Sequence, residues 1–123
     1  MGNCVKLILI TLLIGQMQAT AYRSVPQQTD DSPYTTSIGE RVHPHGVAVS
    51  QDLLKRNGGP LDYGDLVWIE DLGFKIVNDC MAKRHKNRVD IWVPNYLSEK
   101  AFDKKFGRRK LKVFVIKESN NEK

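Results

Sequence analysis

From Gly46 onward, the apolar residues of this chain arrive mostly in short runs. Gly46-Val47-Ala48-Val49, Leu66-Val67-Trp68-Ile69, Phe74-Lys75-Ile76-Val77, Val89-Asp90-Ile91-Trp92-Val93 and Leu111 to Ile116 are each rich in β-branched and aromatic residues and bounded by glycine, proline or polar turn formers. Such runs read as strands. Thr20 to Arg23 adds a short opening strand. The connection Glu70-Asp71-Leu72-Gly73 between two of the runs ends in glycine and gives the clearest hairpin signal. The closing run, apolar at nearly every position, is expected to be buried on both sides.

One helix is expected, over 98–106. Ser98 can cap it, Leu97, Ala101, Phe102 and Phe106 supply an apolar side, and Gly107 can end it. Asp52 to Arg56 makes at most one helical turn before Asn57-Gly58-Gly59-Pro60. The stretches 25–34 and 39–44 read as surface loop, and 118–123 as a polar tail. No repeat or second domain is visible. About six strands sharing one core argue for a closed barrel, because closure removes the exposed edges. The expectation is a single all-β domain with one short helix, over 20–117.

The N-terminal residues carry a different signal. Lys6 precedes a nine-residue apolar run, Leu7 to Gly15, whose helical length of about 14 Å covers only half a bilayer core. It suits the apolar region of a secretory leader over 1–19, and small residues follow, so cleavage is expected after Ala19 or Ala21. Cys4 lies before the run, not after it, which does not suit a lipoprotein anchor. A soluble exported monomer, secreted or periplasmic, is the expectation. Loss of 1–19 removes Lys6 and Cys4 and leaves a formal charge of +4, against +5 for all 123 residues. The remaining thiol, Cys80, cannot form an intramolecular disulfide, so a domain of about 100 residues must stand on its core.

Two aspartates stand where turns do not. Asp79 ends an apolar strand, and Asp90 lies inside another. A carboxylate there is costly unless hydrogen-bonded, paired or kept protonated. Brought together, two such groups push one pKa upward, as a general acid requires; alternatively, Arg84, Lys86 or Arg88 neutralises them as ion pairs. His43-Pro44-His45 lacks further ligands and suits a turn better than a metal, and no metal or cofactor is expected. Cys80 reads as a small half-buried residue, not a nucleophile. Glu70 and Asp71 read as solvated turn residues, and Arg108-Arg109-Lys110 as cations suited to a helix C-terminus. The run from Lys83 to Arg88 lacks interleaved aromatic residues, which argues against nucleic acid.

Several segments together carry a family resemblance. They are Ala19-Thr20-Ala21-Tyr22, Thr36-Ser37-Ile38-Gly39 with Val42, Gly46-Val47-Ala48-Val49, Tyr63-Gly64-Asp65-Leu66-Val67-Trp68-Ile69, Leu72-Gly73-Phe74, Asp79, Asn87-Arg88-Val89-Asp90-Ile91, Ala101 and Phe106-Gly107-Arg108-Arg109. With the eleven-residue step from Asp79 to Asp90, this set resembles the 3D domain, named for three aspartates. That domain is the catalytic barrel of the membrane-bound lytic transglycosylase A family and of small bacterial cell-wall proteins. The resemblance implies a six-stranded double-psi β-barrel, a bacterial envelope location and peptidoglycan glycan strands as substrate. It carries the catalytic acid to Asp90 and its orienting neighbour to Asp79. Where the family's first aspartate follows Ala-Val, this chain has Ser50; Asp52, two residues on and on the same face of a continuing strand, is the expected replacement. Lys83 and Arg88, in the basic segment near the aspartates, are the expected substrate contacts. The alternative is a non-catalytic wall-binding module on the same barrel, as in expansin-like double-psi domains.

Overall fold

The computed structural model describes residues 7–23, 44–107 and 109–120. The loop read over 25–34, Thr36 to Gly39, His43, Arg108 and 121–123 lie outside them. The elements run β1 (Leu7–Tyr22), β2 (Gly46–Val49), 3-10 turns at Gln51–Leu53 and Lys55–Asn57, β3 (Leu66–Ile69), β4 (Gly73–Cys80), β5 (Arg88–Trp92), α1 (Tyr96–Phe106) and β6 (Lys110–Asn120).

The six strands form one sheet closed into a ring, in the order β1-β5-β2-β4-β3-β6. β3 and β4 make the expected hairpin, with Trp68 opposite Phe74 and the two rings edge to face at 4.8 Å. Asp71 and Gly73 turn it in left-handed backbone, at φ 65° and 87°. β2 has only four residues, yet it pairs in parallel with β4 and antiparallel with β5. β1 pairs in parallel with β5 and antiparallel with β6, which closes the ring.

Alternation of side chains fills the interior. Leu111, Val113 and Val115 of β6 point inward with Met17 and Ala19 of β1, Val47 and Val49 of β2, Val67 and Ile69 of β3, Val77 of β4, and Val89 and Ile91 of β5. β6 is therefore buried on one side only: Lys112 is exposed, and Phe114 and Ile116 are half-covered. Its apolar outer residues face β3 and β1 neighbours across the sheet, with Phe114 opposite Trp68 and Leu13. That placement explains the unbroken apolar run without burial on both faces.

Below the ring, Leu54 and Leu61 are fully buried and bridge one another, each contributing about 1.5–3 kcal/mol by burial. The helical turn expected over Asp52 to Arg56 is split into two 3-10 turns on either side of Leu54. Gly59 permits this loop, because a Cβ there would lie 2.2 Å from the Leu53 carbonyl carbon.

Two element boundaries differ from the sequence expectation. The opening strand starts at Leu7, not Thr20, and its first half lies against the far end of β6, with Leu7 opposite Asn120. A bulge at Leu13/Gly15 divides the strand, and Gly15 sits there at φ 148°. Helix α1 begins at Tyr96, and its cap is Asn95, whose Oδ1 accepts from the Ser98 amide at 2.9 Å. Ser98 thus donates from within the first turn. Asn95 is in the extended backbone that a cap needs, at φ −154° and ψ 170°. Among the described residues, no helix is long and apolar enough to cross a membrane.

Candidate functional site

Ala48, the smallest residue of β2 after Gly46, organises the site. In register it faces Asp90 of β5 on one side and Asp79 of β4 on the other. Thr20 of β1 is in turn the partner of Asp90. Thr20, Asp90, Ala48 and Asp79 therefore form one row across four adjacent strands. The two carboxylates stand two strands apart, roughly 10 Å between backbones at the usual spacing, with only a methyl group between them. A bulge in the β2–β4 pairing at Val47/Ala48 sets this register. Without it, Ala48 would be opposite Asn78.

Asp90 is held by the row. The Thr20 hydroxyl donates to its Oδ1 at 2.7 Å. Burial pushes the Asp90 carboxyl from 3.8 up to about 6; the Thr20 bond opposes this rise, while the charges of Glu99, Asp79 and Asp103 add to it. Its proton is thus exchangeable near neutral pH. Asp79 is anchored differently, with its Oδ1 accepting from the Cys80 amide at 2.9 Å. Tyr22, two residues beyond Thr20 and on the same face of β1, is pushed above its ordinary value by burial and then by Asp79 and Asp90. Its phenol stays protonated beside the two carboxylates.

Helix α1 supplies the other acidic groups. Glu99 pairs with Arg23, Oε2 to Nε at 3.5 Å, at the end of β1. Arg23 also lies 4.9 Å from the centre of the Tyr96 ring. Burial and the neighbouring Glu99 raise the pKa of Asp103.

The remaining expected site residues gather elsewhere. Asp52 lies in the first 3-10 turn, and both its carboxylate oxygens accept from the Asn87 amide, at 3.1 and 3.3 Å. With Gln51, Asn57, Lys83 and Lys86 it lines a shallow depression of about 270 Å³. The structure thus brings Asp79 to Asp90 and sets Asp52 with Lys83. Ser50, two residues before Asp52, is fully buried. It exchanges hydrogen bonds with Arg88: its Oγ accepts from the Arg88 amide and its own amide donates to the Arg88 carbonyl, both at 2.9 Å. The Arg88 guanidinium faces His85, Nη1 to Nδ1 at 3.4 Å. Burial, Arg84 and Arg88 all lower the pKa of His85, which suits a neutral ring accepting that bond.

Other residues have local partners. The Arg56 guanidinium donates to Cys80 Sγ at 3.7 Å. Glu70 is more than a solvated turn residue, since its Oε1 accepts from the Lys112 amide at 3.0 Å. Arg109 pairs with Asp71 at 2.7 Å, which ties the hairpin to the segment after α1. No group of three or more His, Cys, Asp or Glu among the described residues is arranged to hold a metal ion.

Thr20, Tyr22, Glu99 and Asp103 were not candidates from sequence. For Tyr22 the signal was available: it is two residues from Thr20 on a strand, so both side chains share a face. Glu99 and Asp103 reach Asp90 only through the path of α1, which no local pattern encodes. No family model matches the chain, and no curated protein matches it.

Proposed function

We propose that this chain is an exported peptidoglycan-cleaving enzyme of the lytic transglycosylase type, on a double-psi β-barrel, with Asp90 as general acid and base. The observation that carries the reading is Asp90 itself: a carboxyl inside an apolar strand, hydrogen-bonded to Thr20, titrating at about 6 and sharing one sheet row with Asp79.

A single acid is enough for this chemistry. Protonated Asp90 gives its proton to the glycosidic oxygen between MurNAc and GlcNAc as the bond from the anomeric carbon breaks. The sugar's own C6 hydroxyl then attacks that carbon and passes its proton to the ionised Asp90. The product is a 1,6-anhydro sugar, and Asp90 is returned to its starting state. No water needs to be held by a second carboxylate, so the spacing of two-carboxylate glycosidases does not apply. Asp79 favours the protonated form of Asp90 before the first step. Tyr22, protonated beside both, can donate a hydrogen bond to whichever carboxylate is charged.

The test is digestion of purified cell-wall sacculi, with mass spectrometry of the released material. Anhydro-muropeptides are expected from the wild type, and only background amounts from Asp90→Asn. Equal release from both ends the enzymatic reading. The second reading, a non-catalytic wall-binding module, is favoured by the depression holding Lys83 and Lys86, which needs no acid to bind an anionic peptide stem. Sacculus retention of both proteins without anhydro product selects it.

A further inference from the structure

We infer that Ala19-Thr20-Ala21, which reads in sequence as a leader-peptidase site, is a structural strand segment, and that any processing of the chain falls on the N-terminal side of Gln16. The inference rests on the export reading for the apolar segment and is independent of the transglycosylase chemistry.

The two halves of β1 differ in burial and in pairing, although Ile14 packs partly against the core. Before the bulge, Ile8, Leu9, Ile10, Leu12 and Leu13 are between 39% and 65% exposed. That half pairs with β6 alone. After the bulge, Met17 and Ala19 are 1% and 0% exposed and belong to the core. At Gln18 the strand is paired on both edges, with Lys110 on β6 and with Arg88 on β5, and Ala19 to Tyr22 continue the pairing with β5.

Side chains and backbone of this second half also tie down distant loops. Gln18 Nε2 donates to the Gly107 carbonyl at 2.7 Å, just past the end of α1. The Gln16 carbonyl accepts from Asn87 Nδ2 at 3.0 Å, beside the start of β5. Cleavage after Ala19 would strip Met17 and Ala19 from the core and leave Thr20 as a charged chain end. Cleavage after Ala21 would also delete Thr20, the donor to Asp90. In the folded protein, a peptidase must open the ring to reach either bond. The small residues are explained by packing: Ala19 is opposite Val89 with no accessible surface, and a larger side chain has no room there. Gly15, at the bulge, is the first small residue on the removable side.

Three measurements test this. The chain is expressed with an export-competent host and the intact mass of the folded product recorded; an N-terminus at Gln16 or earlier is expected, and one at Thr20 or Tyr22 in folded protein overturns the inference. Hydrogen exchange of the full chain provides the second readout. Amides of Met17 to Ala21 are expected to exchange far more slowly than those of Ile8 to Leu12; equal rates for the two groups overturn it. Chains starting at Gln16 and at Tyr22 complete the comparison, with loss of cooperative unfolding expected only in the shorter one. All three readings stand apart from sacculus digestion, so failure of the enzymatic reading leaves them interpretable.

Discussion

Replacing Asp90 by asparagine is expected to stabilise the protein at alkaline pH and to leave it nearly unchanged in acid. The folded state raises the Asp90 carboxyl from 3.8 to about 6, so between those values it keeps a proton that the unfolded chain has released. Stability contributed by the neutral carboxyl is therefore present in acid and lost as pH rises through that window. At about 1.4 kcal/mol per factor of ten, the shift corresponds to about 3 kcal/mol. Because the side chain is only half-buried, that figure is a ceiling. Asparagine matches the protonated carboxyl in shape and keeps an oxygen for the Thr20 hydroxyl, but it never acquires the charge. Urea unfolding of both proteins at pH 3.5, 5, 7 and 8 gives the comparison. The two should coincide at the lowest pH and separate by up to ~3 kcal/mol at the highest, equivalent to roughly 10 °C in Tm for a domain of this size. A difference that does not change with pH, or a variant less stable than wild type at pH 8, would refute the reasoning.

Thr20→Val removes the bond that holds the Asp90 pKa down, so the acid should titrate at higher pH than in the wild type. An NMR titration of the Asp90 carboxyl, or a basic limb of the activity profile displaced toward alkaline pH, reads this shift directly. Asn95→Ala should cost about 1 kcal/mol through loss of the helix cap, seen in urea unfolding with no change in the Asp90 titration. Met17→Ala, at a position 1% exposed, should cost about 2–5 kcal/mol by emptying part of the core, read as a lower unfolding midpoint.

The strands with strong local punctuation were legible in the sequence. β2, the β3–β4 hairpin and β5 each lie between turn residues, and their alternation or β-branching survives in the folded register. Asp79 and Asp90 stood out too, since a carboxylate inside an apolar strand demands a reason, but the Ala48 that separates them in one row did not. The first half of β1 was not: an apolar run without charges serves equally as leader or as strand, and its partners on β6 lie about 100 positions away in the chain. The one-sided burial of β6 escaped for a related reason. Phe114 and Ile116 look like core residues, yet they are half-covered by sheet neighbours contributed from distant sequence. Asp52 illustrates the limit of face periodicity. The strand ends at Val49 and the chain turns at Gln51, so two residues apart no longer means one face, and its carboxylate goes to the Asn87 amide.

The ring closes through its two outermost strands, β1 and β6, which pair along most of their length. That arrangement has a consequence in time. A chain emerging from the ribosome can form the β3–β4 hairpin early, because its contacts are local, but the β1–β6 and β1–β5 pairings join residues some 70 to 110 positions apart and must wait. Thr20 cannot settle against Asp90 until β5 has been made, and the core side of β1 stays uncovered until Leu111, Val113 and Val115 arrive. Until β6 is synthesised, the nascent chain carries Asp90 in water as an ordinary carboxylate, so its raised pKa is created only once β6 has joined the ring.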